Sequence, residues 1–173
     1  MHVYCLFCLT QKCYAVASAL ERQFEVRAFA PQICNRQRVQ GKNIDKLYDL
    51  LPGYVFVFSD KALANAMFYR ENKGVIRRLG SPEDDYELTG ADKDFAMKLY
   101  DTNGIVEQIK IFRVGEAVCI SNTLFDGCDA KITRIDHRKQ RARIEYKFAG
   151  MQCFTWIACD MISEKPSDEV RQG

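Results

Sequence analysis

The stretch Leu50-Leu51-Pro52-Gly53-Tyr54-Val55-Phe56-Val57-Phe58 limits what this chain can become. Its last five residues are aromatic or β-branched, the composition of a strand buried on both faces. Proline cannot donate to a ladder, so Pro52 stands before the strand, and Pro52-Gly53 set a sharp entry into it. Most of these side chains are core by default. Tyr54 differs because its ring carries a polar tip and suits a site that is half apolar and half wet. Tyr54 and Phe56 share one side of the strand by its period of two.

Such a strand needs neighbours, and the flanking sequence supplies them. Val3–Thr10 reads as a first strand. Val16, Ala19 and Leu20 within Tyr14–Gln23 have the spacing of a helix with one apolar side. Phe24–Pro31 alternates as a second strand and stops at Pro31. Gln32–Tyr48 is polar and basic. It fits a solvated loop, or a hairpin pairing Cys34–Val39 with Asn43–Leu47. After the Tyr54–Phe58 strand, Ser59-Asp60 caps a helix over Lys61–Phe68. Val75–Leu79 is a fourth strand, and Ala91–Tyr100 a closing helix. The order β-α-β-β-α-β, then a helix, predicts an α+β unit of the ferredoxin-like split βαβ kind.

Beyond Thr102-Asn103-Gly104 the pattern changes to short strands with evenly spaced turns, which predicts a small all-β barrel. The strongest signal there is strict alternation. Ala142, Ile144, Tyr146 and Phe148 interleave with Arg141, Arg143, Glu145 and Lys147, so the first set faces a core. The boundaries are 1–103 for the first domain, 104–111 for a linker, 112–163 for the barrel and 164–173 for a polar tail. A polar linker holding Gly104 is expected to let the two domains move independently.

Charge is near balance in the first domain and basic within 111–147, although the whole chain of 173 residues carries only +2. A local basic face matters more than the total when the partner is a phosphate backbone. The eight cysteines do not form a disulfide framework on this reading. Cys5 and Cys8 have a C-x-x-C spacing, but in a strand residues three apart point to opposite faces. Buried thiols in a reducing cytoplasm are expected, with a metal site as the minor alternative. The chain opens directly into a strand, so no signal peptide is expected. Gly-rich phosphate loops and nucleophile elbows are missing from the sequence. The expectation is a monomeric, cytoplasmic binding protein without cofactor, not an enzyme.

Leu-Pro-Gly-Tyr-Val-Phe-Val closely resembles the signature strand of the NusG family of transcription elongation factors. Phe29-Ala30-Pro31 and the basic stretch before that strand, Lys73-Gly74-Val75 after it, and the later Phe112–Val118 and Phe125-Asp126-Gly127 fall in the family's order. The resemblance spans roughly Val3 to Ile162. It implies an NGN-like first domain and a KOW-like barrel. It also implies that Tyr54, Phe56 and Phe7 dock on the clamp region of RNA polymerase, although each also fits an ordinary core position. By position, Lys12, Lys73, Arg77 and Arg78 would meet the non-template DNA strand. Arg134, Arg138, Lys139, Arg141, Arg143 and Lys147 crowd one hairpin and suit an RNA backbone, or a solvated barrel face. The numerous cysteines and the divergent Phe154-Thr155-Trp156 strand look unlike a housekeeping copy, so the resemblance is read as that of a specialised antiterminator of the RfaH and LoaP kind. The alternatives are a general factor whose barrel meets Rho or a ribosomal protein, and a ribosome-associated KOW protein.

Overall fold

The computed structural model describes residues 1–162 apart from 41, 70–72, 108, 115–116 and 121–122. The polar tail 164–173 lies outside the described residues. The chain is a mixture of sheets and a few helices. Among the described residues, no helix is long and apolar enough to cross a membrane.

The Tyr54–Ser59 strand, β5, lies inside a four-stranded antiparallel sheet. The sheet runs β2 (Arg27–Phe29), β5, β1 (His2–Cys8), β6 (Val75–Leu79). Period two divides β1 and β5 between two cores. Tyr4, Leu6, Cys8, Val55 and Val57 face one side, where helix α1 (Cys13–Gln23) buries Val16, Ala17 and Leu20. Val3, Cys5, Phe56 and Phe58 face the other, beneath helix α3 (Gly90–Asp101). Val55, Phe56 and Val57 are completely buried, as a two-faced strand must be. The helix expected over Lys61–Phe68 is shorter, α2 at Asn65–Tyr69.

The polar stretch after Pro31 is a long hairpin, β3 (Gln32–Val39) with β4 (Lys42–Asp49). Of the two alternatives for this stretch, the hairpin is the one formed, and its eight continuous cross-strand pairs, Gln32↔Asp49 through Val39↔Lys42, extend beyond Cys34–Val39 and Asn43–Leu47. A short β7 (Ile105–Val106) adds parallel to β3, and Gln32 N donates to Gly104 O at 2.7 Å. The segment 104–111 thus contributes strand pairs. Gly104 has φ +75°, and a Cβ there would lie 2.4 Å from the Phe29 ring.

The remaining strands form one five-stranded sheet: β10 (Lys131–Asp136), β11 (Arg141–Phe148), β12 (Met151–Ile162), β8 (Ile109–Val114), β9 (Ala117–Ile120). The expected barrel is not closed. Among the described residues nothing pairs β9 with β10, and the sheet is open. β12 joins the two halves of this sheet by serving two neighbours in succession. Met151–Ala158 pairs antiparallel with β11, and Cys159–Ile162 pairs parallel with β8. Ala142, Ile144, Tyr146 and Phe148 are all fully buried, following their alternation.

Cys5 and Cys8 face opposite cores, so the C-x-x-C spacing brings no thiol pair together. Burial pushes the Cys8 thiol up to about 12 and raises Cys5 well above its ordinary value. Because the folded value of Cys8 exceeds the unfolded one, its stability contribution is present below about pH 9 and lost as pH rises through about 12. The thiolate is the nucleophile, so alkylation of Cys8 at pH 8 should be about a thousandfold slower in the native protein than in urea. Mass spectrometry of iodoacetamide adducts measures this, and equal native and unfolded rates would contradict it.

Candidate functional site

The face of the first sheet that carries Tyr54 and Phe56 is aromatic. Register sets Phe7 opposite Tyr54 and Cys5 opposite Phe56. Phe7 and Tyr54 meet edge to face at 5.4 Å between ring centroids. On the next strand Arg77 stands opposite Phe7, with its guanidinium 5.9 Å above that ring. Tyr54, Phe7 and Arg77 therefore make one row across β5, β1 and β6.

This face is covered by the five-stranded sheet. Phe148 lies 6.1 Å from Tyr54, 5.4 Å from Phe56 and 5.3 Å from Phe95, and Tyr146 stacks on Phe95 at 5.8 Å. Phe56 is fully buried, whereas Tyr54 remains half-buried, with its hydroxyl 3.9 Å from Met151 Sδ. Burial raises the Tyr54 phenol above its ordinary pKa. Polar contacts fix the alignment. Ala149 N donates to Asp92 Oδ1 at 2.9 Å, and Lys98 Nζ to Asp126 O at 2.9 Å. Asn35 Nδ2 donates to Trp156 O at 3.1 Å, while Ala158 N donates to Asn35 Oδ1 at 2.6 Å. The Asn35 amide thus takes the place of a strand neighbour along β12. Sequence reading missed this residue, because nothing local marks an asparagine that serves a strand more than a hundred residues away.

The four basic residues expected at DNA divide. Lys12 and Lys73 are exposed neighbours, since Gly74 lies against the Lys12 side chain and a Cβ on it would come within 2.9 Å. Arg77 is exposed on the aromatic face. Arg78 is only 5% exposed and points to the opposite face. Its guanidinium sits among the rings of Tyr4, Phe68 and Tyr86 at 4.8–5.2 Å, and Nη1 donates to Asn65 Oδ1 at 3.3 Å. Burial pulls its pKa down. Arg78 therefore leaves the phosphate-binding set, because a buried guanidinium cannot reach a backbone in solvent.

The basic hairpin is assembled, and partly compensated. Arg134, Arg138 and Lys139 are exposed. Arg141 pairs with Asp136 at 3.4 Å, Arg143 with Glu145 at 3.3 Å, and Lys147 with Asp129 at 2.7 Å. The Asp136 carboxyl is held low, first by the Lys139 N–H and then by Arg141. Two aromatic residues missed as site candidates join the same surface: Arg141 lies 4.5 Å over the Trp156 ring and Arg143 4.3 Å over Phe154. The alternation of Gln152, Phe154 and Trp156 against buried Thr155 and Ile157 was the available signal.

No family model matches the chain, and no curated protein matches it by sequence. The fold is similar to a solved structure concerned with domain interaction in NusG of Thermotoga maritima. The TM-score is 0.51 and the identity 19%, covering 90% of this chain and 92% of that one. At this identity the likeness is one of fold.

The Asn35 contacts generate a prediction. Asn35→Ala strands a carbonyl and an N–H of β12 and should weaken the packing of the two units by about 1–3 kcal/mol. NMR relaxation should then show the two units tumbling at more divergent rates than in the wild type. Unchanged rates would mean that the rings alone hold the units together.

Proposed function

We propose that this chain is a bacterial transcription antitermination and elongation factor, a specialised relative of NusG of the RfaH and LoaP kind. It binds RNA polymerase and carries it through the pauses and terminators of particular operons. The observation that carries this reading is the NusG-like fold along 90% of the chain, joined to an aromatic face on the Leu-Pro-Gly-Tyr strand. In this reading 1–103 is the ferredoxin-like, NGN-type unit and 112–163 the KOW-type unit.

Tyr54, Phe7 and Phe56 dock on the polymerase clamp. Tyr54 and Phe7 are partly accessible in the closed form, whereas Phe56 is buried and supports them from below. Full docking needs the second sheet to lift away from Phe56 and Phe95. The protein then acts by contact alone, as a cytoplasmic monomer without cofactor or catalytic group. Holding the clamp closed suppresses pausing. Lys12, Lys73 and Arg77 meet the non-template DNA strand through its phosphates. Arg134, Arg138 and Lys139, with Arg141, Arg143 and Lys147, meet leader RNA.

One observation favours a second reading. Three of the six basic residues of the hairpin already have carboxylate partners, which lowers the field available to RNA. Such a surface also suits a protein adaptor, meeting Rho or a ribosomal protein in a general factor or a ribosome-associated KOW protein.

Binding to core RNA polymerase decides whether the aromatic face docks. Tyr54→Ala, made in the Asn35→Ala background so that closure does not mask it, should weaken binding at least about tenfold. Readthrough of an intrinsic terminator should fall in parallel, with the circular dichroism spectrum of the double variant at the assay temperature matching that of Asn35→Ala. Wild-type affinity in a folded double variant would remove Tyr54 from the interface.

A further inference from the structure

β11 and β12 each have two faces, and only one is used to pack the molecule. Ala142, Ile144, Tyr146 and Phe148 turn inward. Arg141, Arg143, Phe154 and Trp156 turn outward. Register places Arg143 opposite Trp156 and Glu145 opposite Phe154. Each arginine leans diagonally, Arg143 over Phe154 and Arg141 over Trp156. The outer face is therefore a row of alternating ring and cation: Phe154, Arg143, Trp156, Arg141. Asp136 and Glu145 hold the two guanidinium groups from the side. Around the row stand the exposed Lys131, Arg134, Arg138 and Lys139.

Phe154 is 58% exposed, the most exposed large apolar side chain of the described residues. Its neighbours are cations, and rings and guanidinium planes both accept stacked bases. Positive charge around a stacking row matches a phosphate backbone with unpaired bases better than it matches an apolar protein surface. We infer that the outer face of β11 and β12 is a base-stacking platform for single-stranded RNA, with Phe154 and Trp156 taking bases and the surrounding basic side chains taking phosphates. This rests on the RNA-binding reading given above and adds the strandedness of the ligand and the residues that take its bases. Because the row is on the face away from the first unit, a strand can be captured while Phe56 is still covered.

The chain has a single tryptophan, so its emission reports on the site wherever Trp156 is kept, and the anisotropy of end-labelled RNA measures binding by every variant, including those that lack Trp156. The full chain is titrated with adenosine and uridine RNA oligonucleotides of about twelve residues. DNA of matching sequence, an RNA duplex of equal length and a structured leader RNA complete the probes. Single-stranded RNA should quench Trp156. Phe154→Ala and Trp156→Ala should each weaken binding by about 5- to 100-fold, with an unchanged dependence on salt. Trp156→Phe should restore most of the loss, which separates stacking from misfolding. Arg134→Gln with Arg138→Gln should instead flatten the salt dependence by about one unit per lost phosphate contact. If the ring variants bind like wild type while the basic variants fail, stacking is overturned and the RNA-binding reading stands. A preference for duplex overturns the platform, and equal affinity for DNA overturns its assignment to RNA. No binding to any RNA overturns both readings together.

Discussion

The packing of Phe148 against Tyr54, Phe56 and Phe95 is the contact on which the arrangement of the molecule depends. Two sheets from distant parts of the sequence meet there, and their cores become one cluster. Aromatic pairs contribute about 0.5–1.5 kcal/mol each beyond the area they bury. Four such pairs cross the junction. The polar contacts of Asn35, Asp92 and Lys98 lie around this apolar centre. They set the register of the two sheets, while the rings supply most of the attraction. A hydrophobic contact does not choose one alignment by itself, and a side-chain amide that both donates to and accepts from a strand does.

Much of the fold was legible because its determinants are periodic and local. The strand Tyr54–Phe58, the helix near Ala91–Tyr100 and the alternation of Ala142–Phe148 each depend on spacing within one segment. The long hairpin was legible only as one of two alternatives, because β3 and β4 pair through backbone groups while their polar side chains fit a loop equally well. The pairing order of the second sheet was not legible either. Strand spacing says how many strands exist, and not that one strand such as β12 will divide its length between two partners.

The candidate site was legible only in part. Arg77 and Arg78 are adjacent in a strand, so one of them had to face away. Period two already excluded a shared role, and burial among three rings shows which one is withdrawn. The compensation of Arg141 by Asp136 and of Lys147 by Asp129 depends on cross-strand register and on a turn, neither of which spacing within β11 contains. Phe154 and Trp156 showed their alternation in sequence, but the cations above them come from the neighbouring strand.

The division of β11 and β12 into an inner and an outer face has a thermodynamic consequence. A ligand shifts an equilibrium only by its differential affinity for the two states. A partner that needs the aromatic face competes with Phe148, so its apparent affinity is scaled by the fraction of molecules that are open. If closure is worth about 3 kcal/mol, under about 1% are open, and docking of any partner on that face is weakened more than a hundredfold. A ligand on the outer face does not compete with that contact. Its binding leaves the closed fraction unchanged unless it disturbs β12, and β12 is the strand whose Trp156 carbonyl and Ala158 N–H are held by Asn35. Trp156 thus belongs to both surfaces: its ring lies on the outer row and its backbone in the contact between the units.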